Sequence, residues 1–275
     1  MSATPGKRTG SRFDATQSPR DPLRYNRGCP LPLARHGCSL TERTCAALPG
    51  PAPRGATQGG NVRPVRAPIH PMLEAHNLAA RRGTSRLFSA VSFRVEAGNA
   101  LIVTGPNGSG KTTLLRIVAG CTAAEAGEVR WNGTAVAPFD PCLRSVVAFA
   151  GHEPALKDEL TAEENLESLV ALSGEDTPRA EIRNALDAVT LGRQRNLPAR
   201  VLSQGQRRRI GLARLSLSRR PLWILDEPVT ALDTAGTALL AQLIGTHLEQ
   251  GGVAVAATHT TLGLPDARVH SLALS

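Results

Sequence analysis

The sequence predicts an α/β fold with a mostly parallel central sheet, an N-terminal antiparallel β part and a helical subdomain. Three observations carry this expectation. The strand-like run Leu101–Thr104 leads into Gly105-Pro-Asn-Gly-Ser-Gly-Lys-Thr112 and then into the apolar, helix-like Thr113–Ala119. Leu222–Leu225 and Val253–Ala257 are apolar without alternation and too short for helices, as expected of strands buried on both faces of a parallel sheet. Asn132-Gly133 supplies the two positive φ values of a type I′ turn, so Glu128–Val136 is expected to be an antiparallel hairpin.

In chain order, Leu73–Leu78, Ser89–Val95 and Glu128–Trp131 read as short strands, followed later by a strand at Val147–Gly151. The middle of the chain then turns helical. Thr161-Ala-Glu-Glu164 is a capping box leading into Asn165–Leu172, which Gly174 stops, and Arg179–Leu191 continues with Ile182, Leu186 and Val189 at helical spacing. The helical subdomain is expected over about 154–218. No internal repeat is visible.

Charge divides the chain at Met72. Residues 1–71 hold 11 Lys+Arg against 3 Asp+Glu, whereas the remaining 204 residues hold 21 against 20. The high isoelectric point therefore belongs to the N-terminal stretch, and composition gives no reason to assign nucleic-acid binding to the globular part. Residues 1–71 also carry 11 of the 20 prolines and no apolar periodicity, and read as a disordered Arg/Pro/Gly-rich extension before a globular 72–275. Their acid-poor character admits an organelle transit peptide, against which the proline density counts. Met1 and Met72 are the only methionines, so translation starting at Met72 is a second reading. Cys29, Cys38 and Cys45 lack paired spacing and read as reduced thiols; Cys121 and Cys142 read as small core residues. No window approaches 18 apolar residues, so no bilayer span is expected.

The chemistry begins with the glycine-rich turn, a P-loop in its required context. Gly105, Pro106, Asn107, Gly108, Ser109 and Gly110 let the backbone turn its N–H groups toward a triphosphate, and the helix opening at Lys111, Thr112 and Thr113 adds its positive dipole end. Lys111 would supply charge to the β and γ phosphates of ATP, and Thr112 a hydroxyl to Mg²⁺. The strand at Leu222 delivers Asp226 and Glu227 at its C-terminal end, in Walker B order. Asp226 would orient Mg²⁺, and Glu227 would take a proton from the attacking water or orient it. Upstream, Ser203, Gln204, Gly205 and Gln206 read as a capped helix start that presents a hydroxyl and N–H groups to an anion. An ordinary capped surface helix would look the same; the position before Walker B favours the anion-facing reading.

At Leu202-Ser-Gln-Gly-Gln206 the chain resembles ABC ATPases, whose fold is a P-loop NTPase with a RecA-like core. The resemblance implies two ATP molecules at the interface of a head-to-tail dimer with a second copy of the chain, each facing the partner's signature motif. It further makes Ala231-Leu-Asp233 the D-loop, with Asp233 at the interface, and His259 the switch histidine near the γ-phosphate. Two positions depart from the general pattern. Glu153 in Gly-His-Glu-Pro stands where the Q-loop glutamine is usual and would still reach Mg²⁺ as a carboxylate. Arg81 or Arg82 stands where an aromatic residue commonly stacks on adenine, and of the two Arg82 is taken; a guanidinium plane can also stack on a base.

Within that family, Met72–Ser275 is similar to CcmA-type ATPases of cytochrome c maturation, through Met-Leu-Glu-Ala-His-Asn-Leu, Gly-His-Glu-Pro-Ala-Leu-Lys-Asp-Glu-Leu-Thr-Ala-Glu-Glu-Asn-Leu, Leu-Ser-Gln-Gly-Gln-Arg-Arg-Arg and Pro-Leu-Trp-Ile-Leu-Asp-Glu-Pro. The likeness implies ATP hydrolysis coupled to integral-membrane subunits of CcmB/CcmC type in haem delivery or export, peripheral at the cytoplasmic face of the inner membrane. On the charge distribution no nucleic-acid partner is expected, and with no Cys-x-x-Cys-His context at Cys121 or Cys142 no direct haem binding is expected. Two other classes are set beside it: a soluble non-transport ABC ATPase, which would usually carry two cassettes or long coiled-coil insertions, and an ATP-binding assembly module with weak hydrolysis, which an ATPase assay would separate.

Overall fold

The computed structural model describes residues 71–275. The expectations for residues 1–70, including the disordered extension and the reading of Cys29, Cys38 and Cys45, lie outside them.

The chain enters through a long hairpin, β1 (Met72–Arg82) and β2 (Ser85–Glu96), longer at both strands than the sequence pattern indicated. β1 pairs antiparallel with β2 from Met72↔Glu96 to Arg82↔Ser85, and its register shifts three times between Ala75 and Arg81. The other edge of β1 pairs with β4 (Ala126–Trp131), which turns back into β5 (Thr134–Val136). Asn132 and Gly133 have φ of 52° and 77°, the expected left-handed pair. Asn132 also ties down the start of β1: its side chain accepts from the Met72 N–H at 2.9 Å, and its own N–H donates to the Met72 carbonyl at 2.9 Å. The order β2-β1-β4-β5 makes a four-stranded antiparallel sheet.

The second sheet is parallel throughout, in the order β6-β7-β8-β3-β9, with β3 (Ala100–Thr104), β6 (Val147–Ala150), β7 (Leu222–Asp226), β8 (Val253–Ala257) and β9 (Val269–Ala273). Successive side chains of a strand point to opposite faces, and here both faces are covered. Along β7, Leu222 and Ile224 join a core with Leu114, Leu115 and Val118 of α1 (Lys111–Val118), while Trp223 and Leu225 face a second core with Ile210 and Leu240. Each fully buried Leu or Ile in such a core contributes about 1.5–3 kcal/mol. The second core also receives α6 (Thr234–Glu249), whose Leu240, Ile244 and Leu248 recur every fourth residue on the buried side. His247 on α6 stacks on Trp223, ring centroids 4.0 Å apart and planes 10° from parallel. Burial lowers the His247 pKa, although the carbonyls of Val253 and Pro221 pull it the other way.

Between β6 and β7 the chain builds the helical subdomain from α3 (Ala162–Leu172), α4 (Arg179–Ala188) and α5 (Gln204–Leu217), following the short α2 (Pro141–Val146) that precedes β6. The Thr161 capping box is formed, with the Thr161 N–H donating to the Glu164 carboxylate at 2.8 Å. α4 ends three residues before the expected Leu191, because Thr190 takes φ 64° and cannot continue a right-handed helix. Glu163 is buried between α3 and α4, where Arg179 and Arg183 donate to it at 2.6 and 3.0 Å. Burial alone would raise its pKa; the two guanidinium groups outweigh that and hold it low.

The cysteine expectation is corrected. Cys121 and Cys142 are exposed, because Cys121 follows Gly120 beyond the end of α1 and Cys142 lies in the solvent-facing first turn of α2, where Leu143 takes the core position instead. No helix among the described residues is long and apolar enough to cross a membrane.

Candidate functional site

The P-loop leaves β3 at the C-terminal edge of the parallel sheet and winds into α1. Gly105 takes φ 145°, and a Cβ there would stand 2.4 Å from the Leu274 carbonyl oxygen and 2.8 Å from Ser109 Oγ. Gly110, at φ 98°, forms the N-cap of α1 without any side-chain cap, and a Cβ on it would press on Leu87 and Phe88 at 3.0 Å. Glycine is therefore required at both ends of the loop. Pro106, Asn107 and Gly108 are exposed at its tip. Lys111 is buried and donates from Nζ to the carbonyls of Gly105 at 2.8 Å and Pro106 at 3.2 Å, so its charge lies along the inside of the loop. Ser109 Oγ is buried with no hydrogen-bond partner among the described residues, and the first turn of α1 is left uncapped. A glycine-lined turn with a free helix terminus of this kind suits an anion.

Thr112 is the first point at which two distant motifs meet: its hydroxyl donates to Asp226 Oδ1 at 3.2 Å, across 114 positions of sequence. Thr113 is half-buried behind it in the same turn. Asp226 is buried at the end of β7. A hydroxyl and a carboxylate side by side are hard oxygen donors, the set that Mg²⁺ takes when it is bound through few protein groups and a phosphate. The residues present fit that ion.

Glu227 follows immediately and is held in the left-handed region at φ 48°. Its N–H donates to the Ala257 carbonyl at 2.9 Å, and its carboxylate lies 3.6 Å from His259 Nε2. Glu227 and His259, predicted as a pair of reacting-end residues, are thus neighbours. The ends of β7 and β8 bring them together.

The signature residues open α5. Ser203 accepts from the Gln206 N–H at 3.2 Å while the Gln206 side chain accepts from the Ser203 N–H at 2.9 Å, so the capping box is complete. Gln204 is exposed, and a Cβ on Gly205 would lie 3.0 Å from the Ala231 carbonyl, which packs the signature turn against the loop carrying Asp233. No hydrogen bond joins Ser203–Gln206 to the P-loop of the same chain among the described residues. Asp233 accepts from the Gly236 N–H at 2.9 Å as the N-cap of α6 and is bonded by Arg209 at 2.7 Å; both contacts lower its pKa, the backbone one more. Within one chain its carboxylate anchors its own loop.

The two departures are placed differently. Glu153 is exposed and is not bonded to Thr112 or Asp226; it stands on the wall of a groove of about 300 Å³ shared with Phe149, Leu169, Arg208, Leu212 and Pro228, at the join of the parallel sheet and the helical subdomain. Arg81 is bound to Glu125 at 3.2 Å, whereas Arg82 is exposed at the end of β1, without an ion-pair partner among the described residues.

The three consecutive arginines that follow the signature carry part of the family likeness, but the sequence assigns none of them a role. Turned about 100° apart on α5, they go three ways: Arg207 to Asp158 at 2.6 Å, Arg209 to Asp233, and Arg208 inward to backbone carbonyls. The run itself was the available signal, since a charged residue on the inward face of a helix needs a buried partner.

The ABC transporter family profile matches residues 88–230. A cytochrome c biogenesis ATP-binding export protein CcmA from Nitrosomonas europaea is 46% identical over 204 residues, 74% of this chain and 96% of that protein. The CcmA of Aromatoleum aromaticum is 49% identical over 190 residues, 69% of this chain and 89% of its own. Among solved structures, an ATP-binding cassette in a dimeric post-hydrolysis state bound to ADP and Pi superimposes with a TM-score of 0.61 at 25% identity, covering 68% of this chain and 88% of that one.

Proposed function

The chain belongs to the ABC transporter family, alongside the CcmA proteins of cytochrome c biogenesis, and from that premise we propose that it is the ATP-hydrolysing subunit of a CcmA-type membrane complex for haem delivery or export. The observation that carries the reading is the convergence of Thr112 with Asp226 and of Glu227 with His259 at one edge of the parallel sheet, beside an uncapped helix terminus.

In this reading the loop Gly105–Gly110 and the first turn of α1 bind the phosphates of ATP through backbone N–H groups, and Lys111 turns from the loop carbonyls to the β and γ oxygens. Thr112 and Asp226 would hold Mg²⁺, which would neutralise phosphate charge. Glu227 accepts the proton of the attacking water, and His259 orients the carboxylate and the γ-phosphate. Arg82 stacks on the base. Ser203, whose oxygen accepts within its own helix, still has its hydroxyl proton to donate to the γ-phosphate held by a second copy arranged head to tail, with Gln204, Gly205 and Gln206 beside it and Asp233 aligning the facing loop. Glu153, on the groove wall, senses the nucleotide and passes its movement to Lys157–Leu172. That surface is assigned to integral-membrane subunits of CcmB/CcmC type, which hold the protein at the cytoplasmic face of the inner membrane.

The test is Glu227→Gln, which leaves the cradle and removes the base. ATP should bind with unchanged affinity, hydrolysis should fall by about 10²–10⁴-fold, and a nucleotide-dependent dimer should accumulate on a sizing column. Unchanged turnover would remove Glu227 from the role. Failure of the chain to restore c-type cytochrome assembly in a strain lacking its CcmA would reject the haem-delivery assignment while leaving the ATPase standing.

A further inference from the structure

Arg208 is 7% exposed and makes no ion pair with a carboxylate among the described residues. Its guanidinium is instead spent on backbone. Nη1 donates to the carbonyl of Gly151 at 2.9 Å and to that of His152; Nη2 donates to the carbonyls of Glu227 at 2.6 Å and Asp226 at 3.3 Å. Burial lowers its pKa, and the nearby carboxylates of Asp226 and Glu227 oppose that. One planar fork thus bridges the residues leading into Glu153 and the peptide that carries Glu227.

That peptide is strained. Glu227 has a side chain yet sits at φ 48°, a conformation that persists only where the surroundings hold it. Its N–H is fixed by Ala257; its carbonyl receives Arg208 and, more weakly, the Thr230 N–H at 3.3 Å. Of these, Arg208 is the only side chain. A turned φ at this point sets the direction in which the carboxylate leaves the backbone, toward His259.

We propose that Arg208 is a positioning residue for hydrolysis: by clamping the Glu227 carbonyl it fixes the carboxylate in its reacting direction, and through Gly151 and His152 it links that direction to the Glu153 loop. The proposal rests on the reading of Glu227 as the base. Lysine in its place would keep the charge but offer a single nitrogen, unable to span both pairs of carbonyls.

The experiment measures ATP hydrolysis by the purified full-length chain in Arg208→Lys, Arg208→Gln, Glu227→Gln and the double variant Arg208→Lys/Glu227→Gln, with single-turnover phosphate release for the slow ones and a fluorescent ATP analogue for binding. Arg208→Lys should lower kcat by about 10–10²-fold, leave nucleotide affinity within about threefold, and add nothing further in the Glu227→Gln background. Arg208→Gln, smaller and neutral, serves as the second variant should the lysine form melt early, and should show the same split. Wild-type kcat in either folded variant overturns the proposal. So does an equal fold-loss in the double variant, which would show action independent of the carboxylate, and so does a loss of folding in both, which would confine Arg208 to structure. Full activity in Glu227→Gln would instead sink the underlying reading of the base, whatever Arg208 does.

Discussion

α1 and α5 both begin at polar, glycine-containing turns, yet their N-termini are finished differently. Among the described residues, α1 starts from Gly110 with no side-chain cap and with Ser109 Oγ unpartnered nearby, whereas α5 starts from Ser203 with both halves of a capping box closed. Among the described residues α2, α3 and α6 are also capped, by Asp140, Thr161 and Asp233. The open terminus leaves its first N–H groups for an anion inside a single chain; the closed one has already satisfied its third N–H and keeps only part of its donors. In the proposed cycle, α1 therefore binds nucleotide alone, and α5 adds its contacts only when a second copy brings a phosphate to it.

Substitutions at the two termini separate these roles. Lys111→Ala strips the open terminus of its buried charge, so the isolated chain should lose about 1.5–3 kcal/mol of ATP binding, roughly 10- to 150-fold in Kd, by titration with a fluorescent analogue. Ser203→Ala should leave that Kd unchanged, cost about 1 kcal/mol of stability through the lost cap, and lower turnover with nucleotide-dependent dimerisation. If Ser203→Ala weakened binding by the monomer as Lys111→Ala does, the contrast between the termini would collapse.

The Glu153 groove sharpens the same distinction, because it touches neither terminus. Glu153→Ala should impair partner-stimulated ATPase and cytochrome c maturation more than ATP binding, and wild-type values for both would make Glu153 a solvated loop carboxylate. A smaller effect is expected at Glu163. Because the fold holds its pKa below the ordinary 4.5, the stability it confers is fully present above the usual carboxylate range and is lost as pH falls through the depressed value. Arg179 and Arg183 are half-exposed or more and can be rehydrated when the carboxylate is removed. Glu163→Gln should therefore cost only about 1–2 kcal/mol at pH 7 and flatten the acid limb of melting temperature against pH below 4.5; an unchanged acid limb would show that Glu163 does not set it.

The smallest effect should follow from starting the chain at Met72. The new ammonium would still donate to Asn132 Oδ1, where the Met72 N–H now does, so residues 72–275 should fold and bind ATP as the full chain does. An insoluble or nucleotide-free product would contradict the dispensable extension.

What was readable in the sequence was local. Gly105–Thr112, the Ser203–Gln206 and Thr161–Glu164 boxes and the Asn132-Gly133 turn each encode their geometry within a few residues. β7 and β8 fell where unbroken apolar runs put them. α6 went unread although its buried residues recur at every fourth position, because small and apolar residues fill its other positions and blur the stripe. For Arg208 the run signalled a buried partner without naming it: its acceptors are carbonyls of residues 18 to 57 positions away, and backbone carbonyls have no residue type to search for. The cysteines misled because small apolar character was allowed to outweigh their place beside turns.

Trp223 lies three residues ahead of Asp226 on the same strand, with its indole laid flat on His247. Burial makes that imidazole harder to protonate than a free one, and the emission of this indole should respond to movement between β7 and α6. The strand that carries Asp226 to its edge thus has an intrinsic fluorophore built into its middle, and with Trp131→Phe removing the second indole, a nucleotide-dependent change in emission would report movement along β7 without an attached dye.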